Sequence, residues 1–132
     1  MKDIIKSAQE WFRQASYDLE TGRALFASKR YLYCIFICHL ALEKGLKGLF
    51  TKKFKEVPPK THNLIFLLTR LELKPEPEIK EFINELNTVS IPTRYPDDLK
   101  SLLKEYKVAK VKEILQNTEE ALQWLSRELE RL

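Results

Sequence analysis

The chain has 132 residues, 44% of them hydrophobic and 32% charged, which is the composition of one soluble folded domain spanning residues 1–132. This composition excludes a disordered chain, and the net charge of +4 permits contact with nucleic acid without requiring it. The three glycines are too scattered to form a phosphate-binding loop, and their scarcity favours helices.

The compartment is indicated by the N-terminal sequence, the apolar runs and the cysteines. Residues 1–10 contain no apolar segment of a signal peptide. The longest apolar run, from Tyr31 to Leu42, is interrupted by His39 and is too short to span a bilayer. Cys34 and Cys38 lie one turn apart on a predicted helix, where a disulfide would be strained. We therefore expect buried thiols in a cytoplasmic protein with no membrane contact.

Helical periodicity begins close to the N-terminus. Small and apolar residues recur every three or four positions, which predicts a first helix from Asp3 to Ala27: Ile4, Ala8, Trp11, Ala15, Leu19, Gly22 and Phe26. Asp3 is predicted to cap this helix, and Gly22 to permit a close approach by a neighbouring helix. The short turn at Ser28 and Lys29 predicts that the first two helices form an antiparallel hairpin.

The most apolar stretch of the chain runs from Lys29 to Lys53. Its apolar residues cover most of the circumference of a helix, which predicts a central helix that packs on more than one side. Charged groups on such a helix cost free energy unless they are paired or lie at an edge. His39, Glu43, Lys44 and Lys47 are therefore the first candidates for functional residues.

Two further helices are predicted beyond a loop that contains Pro58 and Pro59. The first runs from an N-cap at Thr61 through Leu71, with buried residues Leu64, Phe66 to Leu68 and Leu71. The second begins near Pro77, a residue suited to a first helical turn. Its apolar face comprises Ile79, Phe82, Ile83 and Leu86.

The last third of the chain contains an irregular segment and a closing helix. Helix is unfavourable between Asn87 and Asp98, because Pro92 and Pro96 bracket three residues there. A helix is predicted from about Lys100 to the C-terminus, with a core face of Tyr106, Val108, Val111, Ile114, Leu115, Thr118, Leu122, Leu125 and Leu129. No strand-like alternation extends beyond a few residues, so the pattern predicts an all-α bundle.

The polar residues of the central helix admit a structural and a functional interpretation. Glu43 and Lys47 have the spacing and order of an intrahelical ion pair, and they could also line a polar pocket at the helix edge. His39 is more typical of a packed core histidine than of a catalyst. With Cys34 and Cys38 it lacks a fourth ligand for zinc, so we predict no metal and no other cofactor.

Arg94 and Tyr95 form the second candidate region. An arginine beside an aromatic residue, held between prolines, can present its guanidinium to a phosphate or a carboxylate. The alternative is an arginine that pairs with Glu43 and fastens the segment to the bundle, since a buried glutamate needs a partner. Both interpretations remain open. His62, which follows Thr61, is interpreted as a first-turn residue of its helix.

Two lysine-rich stretches could attract nucleic acid if they adjoin. Six lysines lie between Lys44 and Lys60, and five more lie between Lys100 and Lys112. Charge runs are usually solvated faces. An electrostatic interaction with nucleic acid through them would weaken steeply with salt.

Four segments, taken in order along the chain, form a recognisable pattern: Trp11 with Ala15, the segment ending in LALEKGLKGLF, Thr61-His62-Asn63-Leu64, and Arg94-Tyr95-Pro96 before a long last helix. Together they resemble the HEPN domain family. The resemblance covers nearly the whole chain. It implies an up-and-down bundle of four main helices with a short extra helix, often as a homodimer. Small prokaryotic members are often encoded beside minimal nucleotidyltransferases, in two-component or toxin–antitoxin-like pairs. Many members are metal-independent RNases, and others are inactive and bind nucleotides, RNA or the partner protein.

The RNase members carry an arginine, four to six residues and a histidine, and this sequence departs from that motif. The positions before His39 that would hold the arginine are Leu32, Tyr33 and Cys34, and those before His62 are Lys55, Glu56 and Val57. Without a histidine so placed, no obvious general base is available for a ribose 2′-hydroxyl.

We therefore interpret the chain as a non-catalytic nucleotide- or nucleic-acid-binding component of such a pair. The expected partners are a second copy of the chain, a minimal nucleotidyltransferase, and a nucleotide or RNA. Lys47 and Arg94 would hold phosphate, Tyr95 would stack on a base and Glu43 would orient the cations. The expected ligand-binding site comprises Glu43, Lys44, Lys47, His62, Arg94 and Tyr95. An RNase with an atypical site using His39 or His62 with Arg94, and a pure protein-interaction module, are the alternatives.

The two interpretations of Arg94 predict different results for Arg94→Ala. If Arg94 contacts ligand phosphate, the substitution weakens nucleotide binding in titration calorimetry and leaves the thermal unfolding midpoint almost unchanged. A variant that mainly lowers the unfolding midpoint would instead assign Arg94 to the structural pair with Glu43.

Overall fold

A computed structural model describes the backbone of residues 2–94 and 97–132, and the side chains of residues 7–89 and 97–132. In this part of the chain all regular secondary structure is helical, as predicted, in four long and two short helices. They are α1 Lys2–Ala27, α2 Tyr31–Phe54, α3 Leu64–Leu71, α4 Pro77–Arg94, α5 Leu99–Glu105 and α6 Val108–Arg131. The four long helices form the bundle, and α3 and α5 are the short ones.

The first two helices form the predicted antiparallel hairpin. Lys29 has a left-handed backbone with φ of 63°, and the amides of Lys29 and Arg30 bond back to the carbonyls of Phe26 and Leu25. This turn reverses the chain within three residues. The predicted N-cap at Asp3 is wrong, because α1 already includes Lys2.

Helix α2 is the centre of the bundle and contacts every other helix. From Ala41 to Thr51 its buried residues lie all round the helix, because α1, α3, α4 and α6 each cover part of α2. Gly45 lies against Leu122 and Leu125, and the Lys52 ammonium reaches the Leu129 carbonyl at 2.9 Å. Helix α6 therefore runs parallel to α2, while α1 runs antiparallel to both.

The start of α3 differs from the prediction. The N-cap is Asn63, whose side-chain oxygen accepts hydrogen bonds from the amides of Ile65 and Phe66. The Thr61 hydroxyl instead accepts from the Asn63 amide at 3.1 Å and shapes the preceding turn. Phe66, predicted to be buried, is exposed, because it faces away from α2.

Two predictions for the last third of the chain are wrong. Helix α4 continues through Pro92 to Arg94, because a proline near the last turn removes one backbone hydrogen bond without stopping the helix at once. The predicted closing helix is broken at Tyr106 and Lys107, which have non-helical backbones. The break allows Tyr106 to be buried, whereas Val108 beyond it is exposed.

The two cysteines are free and fully buried in the core, as expected. The hydrogen bond that the Cys34 thiol donates to Cys38 and the burial of the sulfur raise the pKa of Cys34 well above its ordinary value. Because both side chains are fully buried among apolar residues, they pack as small core residues. Among the described residues, no helix combines the length and apolar character needed to cross a membrane.

Of the three glycines, Gly48 rather than Gly22 makes the closest contact with a neighbouring helix. A methyl group at Gly48 would lie 2.9 Å from the Phe12 ring and 3.1 Å from the Ala8 carbonyl oxygen, so α1 would have to move. At Gly22 the nearest atom is 3.5 Å away, which is ordinary contact. The expected close approach at Gly22 is therefore wrong, and α2 supplies the contact from Gly48.

The two glycines predict opposite effects on stability. Gly48→Ala should lower the free energy of unfolding by about 1–3 kcal/mol through overpacking. Gly22→Ala should raise it by up to about 1 kcal/mol, because alanine is the better helix former and fits. Urea unfolding monitored by circular dichroism measures both, and equal effects would contradict this packing of α1 on α2.

Candidate functional site

The polar residues of α2 and the α3 entry meet at one buried carboxylate. Glu43 is 4% exposed, and its Oε2 accepts a hydrogen bond from Lys47 Nζ at 3.0 Å. Its Oε1 lies 2.9 Å from His62 Nδ1. A carboxylate removed from water requires such partners, because its hydration is lost. Glu43, Lys47 and His62 therefore form one interacting group, which we call the Glu43 cluster.

His62 is the member of the Glu43 cluster that faces solvent, with a side chain 66% exposed. An ionised carboxylate can only accept hydrogen bonds, so Nδ1 of His62 carries the proton directed at Glu43. The opposite ring nitrogen, Nε2, is left for a group outside the protein. When neutral it accepts a hydrogen bond, and when the ring is protonated it donates one.

The position of His62 is set by a network between α3 and α4. Asn63 caps α3, and its side-chain oxygen also accepts from Asn87 Nδ2 of α4 at 3.2 Å. The side-chain oxygen of Asn87 accepts from the Leu64 amide at 2.9 Å. Two helices thus hold the segment that presents the imidazole to Glu43.

His39 lies on the inner side of the same carboxylate. It is fully buried, and its Nδ1 is 3.9 Å from Glu43 Oε1. This agrees with the core role favoured by its apolar surroundings. In the sequence, the spacing of four residues from His39 to Glu43 and from Glu43 to Lys47 indicates that these side chains lie in a row along one face of the helix.

Trp11 of α1 is a neighbour of the Glu43 cluster that the sequence did not indicate. Lys47 Nζ lies 6.0 Å from the centre of the Trp11 ring, within the range of a cation–π contact. The sequence showed Trp11 as a member of an apolar stripe. Only the register between α1 and α2 places its ring beside Lys47.

Three of the expected ligand-binding residues are not part of this cluster as described. Lys44 turns to the other side of α2 and pairs with Asp18 Oδ2 of α1 at 2.9 Å. The backbone of Arg94 ends α4 two helical turns beyond Asn87, roughly 10 Å along the helix, and its side chain lies outside the described residues. Tyr95 is outside them altogether.

The lysines between Lys44 and Lys60 are largely engaged within the fold. Besides the pairs of Lys44 and Lys47, the ammonium groups of Lys52 and Lys53 donate to the carbonyls of Leu129 and Leu71, at 2.9 and 2.7 Å. These carbonyls belong to the last turns of α6 and α3, where cations are favourable. The second stretch, starting at Lys100, lies at the opposite end of the bundle, since α6 runs parallel to α2. The two lysine stretches therefore do not adjoin.

A metal centre receives no support from the arrangement of donors. Within residues whose side chains are described, no three His, Cys, Asp or Glu side chains are grouped to hold a metal ion. The groups of the Glu43 cluster can take part in proton exchange or hydrogen bonding at His62, beside a carboxylate paired with an ammonium.

Known proteins share the sequence pattern and the fold. The HEPN domain family model matches residues 8–129. The crystal structure of TT1696 from Thermus thermophilus has a TM-score of 0.79 and 24% identity, covering 91% of this chain and 96% of that one. That of ST0689, an archaeal HEPN homologue, has a TM-score of 0.73 and 24% identity, covering 92% and 97%. A search among curated proteins found no match. At these identities the two structures establish the fold alone.

The buried pairing of Glu43 makes stability depend on it. Glu43→Ala would leave Lys47 buried without its carboxylate and should lower the free energy of unfolding by about 3–5 kcal/mol. Glu119→Ala is the control, since Glu119 pairs with Arg23 at 3.0 Å on the surface and should cost less than about 1 kcal/mol. Replacing Glu43 and Lys47 together by leucine should cost less than Glu43→Ala. Chemical unfolding measures all three, and equal losses for the two glutamates would contradict this account.

Proposed function

We propose that this chain, which belongs to the HEPN domain family, binds the phosphate groups of nucleotides or RNA at the Glu43 cluster. The observation that carries the proposal is the hydrogen bond from the exposed His62 to the buried Glu43. It holds the imidazole with one nitrogen inward and directs the other to solvent, where a phosphate oxygen can accept from the protonated ring.

Lys47 supports this function indirectly. Its side chain is 9% exposed and its ammonium is held by Glu43, so it offsets the charge of the carboxylate. An incoming phosphate therefore meets no net negative charge from this pair. Arg94 and Tyr95 remain part of the proposal as a second cation and a ring for the base, contributed from the end of α4 and the residue after it.

An RNase activity is the second candidate, and the same hydrogen bond favours it. His62 could accept the proton of a ribose 2′-hydroxyl at Nε2 while the 2′-oxygen attacks the adjacent phosphorus. The 5′-oxygen would leave and take a proton from water. Glu43 would hold the imidazole in the required tautomer, as carboxylates do beside catalytic histidines. The absent arginine–histidine motif makes binding without cleavage the preferred function.

The proposed partners are a second copy of this chain and a minimal nucleotidyltransferase. The α2 stripe formed by Tyr33, Ile37 and Leu40 stays partly exposed although it is apolar, and a second copy would cover it. Support for the nucleotidyltransferase comes from the family alone. Sedimentation of the purified chain tests the homodimer, and co-purification with a nucleotidyltransferase encoded nearby tests the second partner.

Binding and cleavage are separated by one set of variants. The chain should bind ATP, GTP or a short RNA in titration calorimetry at low salt, and the affinity should fall as salt rises. His62→Asn keeps an amide at the position of Nδ1 that can donate to Glu43 but removes Nε2, and it should weaken binding roughly tenfold, as expected for loss of one charge-assisted hydrogen bond.

The control and the contradicting outcomes are equally specific. Gln14→Ala changes an exposed polar residue of α1 and should leave binding unchanged. Cleavage of single-stranded or structured RNA that is lost in His62→Ala would establish the RNase instead. Absence of both binding and cleavage would leave the protein-interaction module.

A further inference from the structure

A cavity of about 400 Å³ opens at Trp11, the neighbour of Lys47, between the N-terminal half of α1 and the segment that follows α2. Its lining is Ser7, Trp11, Thr51, Lys55, Glu56, Val57 and Pro58, and most of the exposed lining surface is apolar. This volume is within the range of small-molecule sites, which are concave and mostly apolar with a few polar groups.

Trp11 and Val57 lie on two different walls of this cavity. Trp11 on α1 is half-buried, and Val57 on the loop is 85% exposed although it is apolar. Val57 therefore contributes little to the core of the folded chain. A flat apolar ligand between the two side chains would cover both surfaces, and aromatic rings are the usual platform for nucleobases.

The charges around the cavity fit a base that carries a phosphate. Lys47 connects the two sites, since its ammonium is 6.0 Å from the Trp11 ring centre and 3.0 Å from Glu43. Lys55 adds an exposed ammonium at the rim. Glu56 is compatible with an adenine, because a carboxylate accepts hydrogen bonds from an exocyclic amino group.

We infer that the cavity between Trp11 and Val57 is a nucleobase subsite that holds the base of the nucleotide whose phosphate meets His62. The inference rests on the proposed function. It assigns the base to Trp11 and Val57 instead of Tyr95. The subsite accepts a free nucleotide or one base of an RNA strand, since both offer the same base and phosphate.

The test compares adenosine 5′-monophosphate with ribose 5-phosphate, which has the phosphate and no base. The Trp124→Phe background leaves Trp11 as the single tryptophan, so fluorescence reports on this cavity. AMP should bind more tightly than ribose 5-phosphate and quench Trp11. Val57→Ser should weaken AMP binding roughly threefold to tenfold through lost apolar contact, and leave ribose 5-phosphate binding unchanged.

Val108→Ser is the matched control, because Val108 is also an exposed valine, 52% exposed, on α6. It should change neither affinity. Trp11→Leu removes the fluorescent reporter, so its affinity is measured by titration calorimetry. It should weaken AMP binding about 5- to 150-fold, as for loss of one stacked base. Should Trp11→Leu fail to fold, the Val57 and Val108 variants still test whether the cavity binds the base. A parallel titration with oligoadenylate distinguishes a free nucleotide from an RNA strand as the ligand. If oligoadenylate binds and AMP does not, the subsite is assigned to an RNA strand.

The outcomes distinguish the inference from the function on which it rests. Equal affinities for AMP and ribose 5-phosphate, with no effect of Val57→Ser, would overturn the base subsite and leave phosphate binding intact. Absence of binding for AMP, ribose 5-phosphate and oligoadenylate would overturn both.

Discussion

The burial of the Glu43 carboxylate is the constraint on which the candidate site of this protein depends. A glutamate on the most buried helix is tolerated only with cationic or hydrogen-bonding partners. Lys47 supplies one from the same helix, and His62 supplies another from the segment before α3. The carboxylate therefore connects the core helix to an exposed imidazole. Core stability and the candidate site share the same atoms.

The need of polar groups for hydrogen-bond partners also explains how the ends of α6 and α3 contact α2. Helices leave their last carbonyls without partners, and Lys52 and Lys53 supply ammonium groups to α6 and α3. Each of these two ammonium groups is therefore bonded within the fold, whereas the lysines of a charge run usually face solvent. The position of a basic residue on the central helix, rather than the length of the run, decides whether it is available to a ligand.

Much of the fold follows from local pattern, and the departures have local causes. The α1–α2 hairpin and the burial of α2 on more than one side were predictable, because the periodicity of apolar residues indicates which faces of a helix are buried. The continuation of α4 through Pro92 was not, because a proline near a helix end removes only one backbone hydrogen bond. The break at Tyr106 was not, because burial of its side chain outweighs local helix preference. The N-cap of α3 is Asn63 rather than the predicted Thr61. The two residues lie two positions apart and both can cap a helix, and the contact with Asn87 of α4 distinguishes them.

The sequence by itself determined the helical class, the family pattern and one half of the site. Glu43 and Lys47 are joined by the geometry of a single helix, so their pairing required no knowledge of the fold. The tertiary structure decided the other half. His62 reaches Glu43 and Trp11 reaches Lys47 only through contacts between separate segments, whereas Lys44 is drawn away by Asp18. Spacing along a chain specifies neighbours within a helix, while the packing register between helices specifies all others.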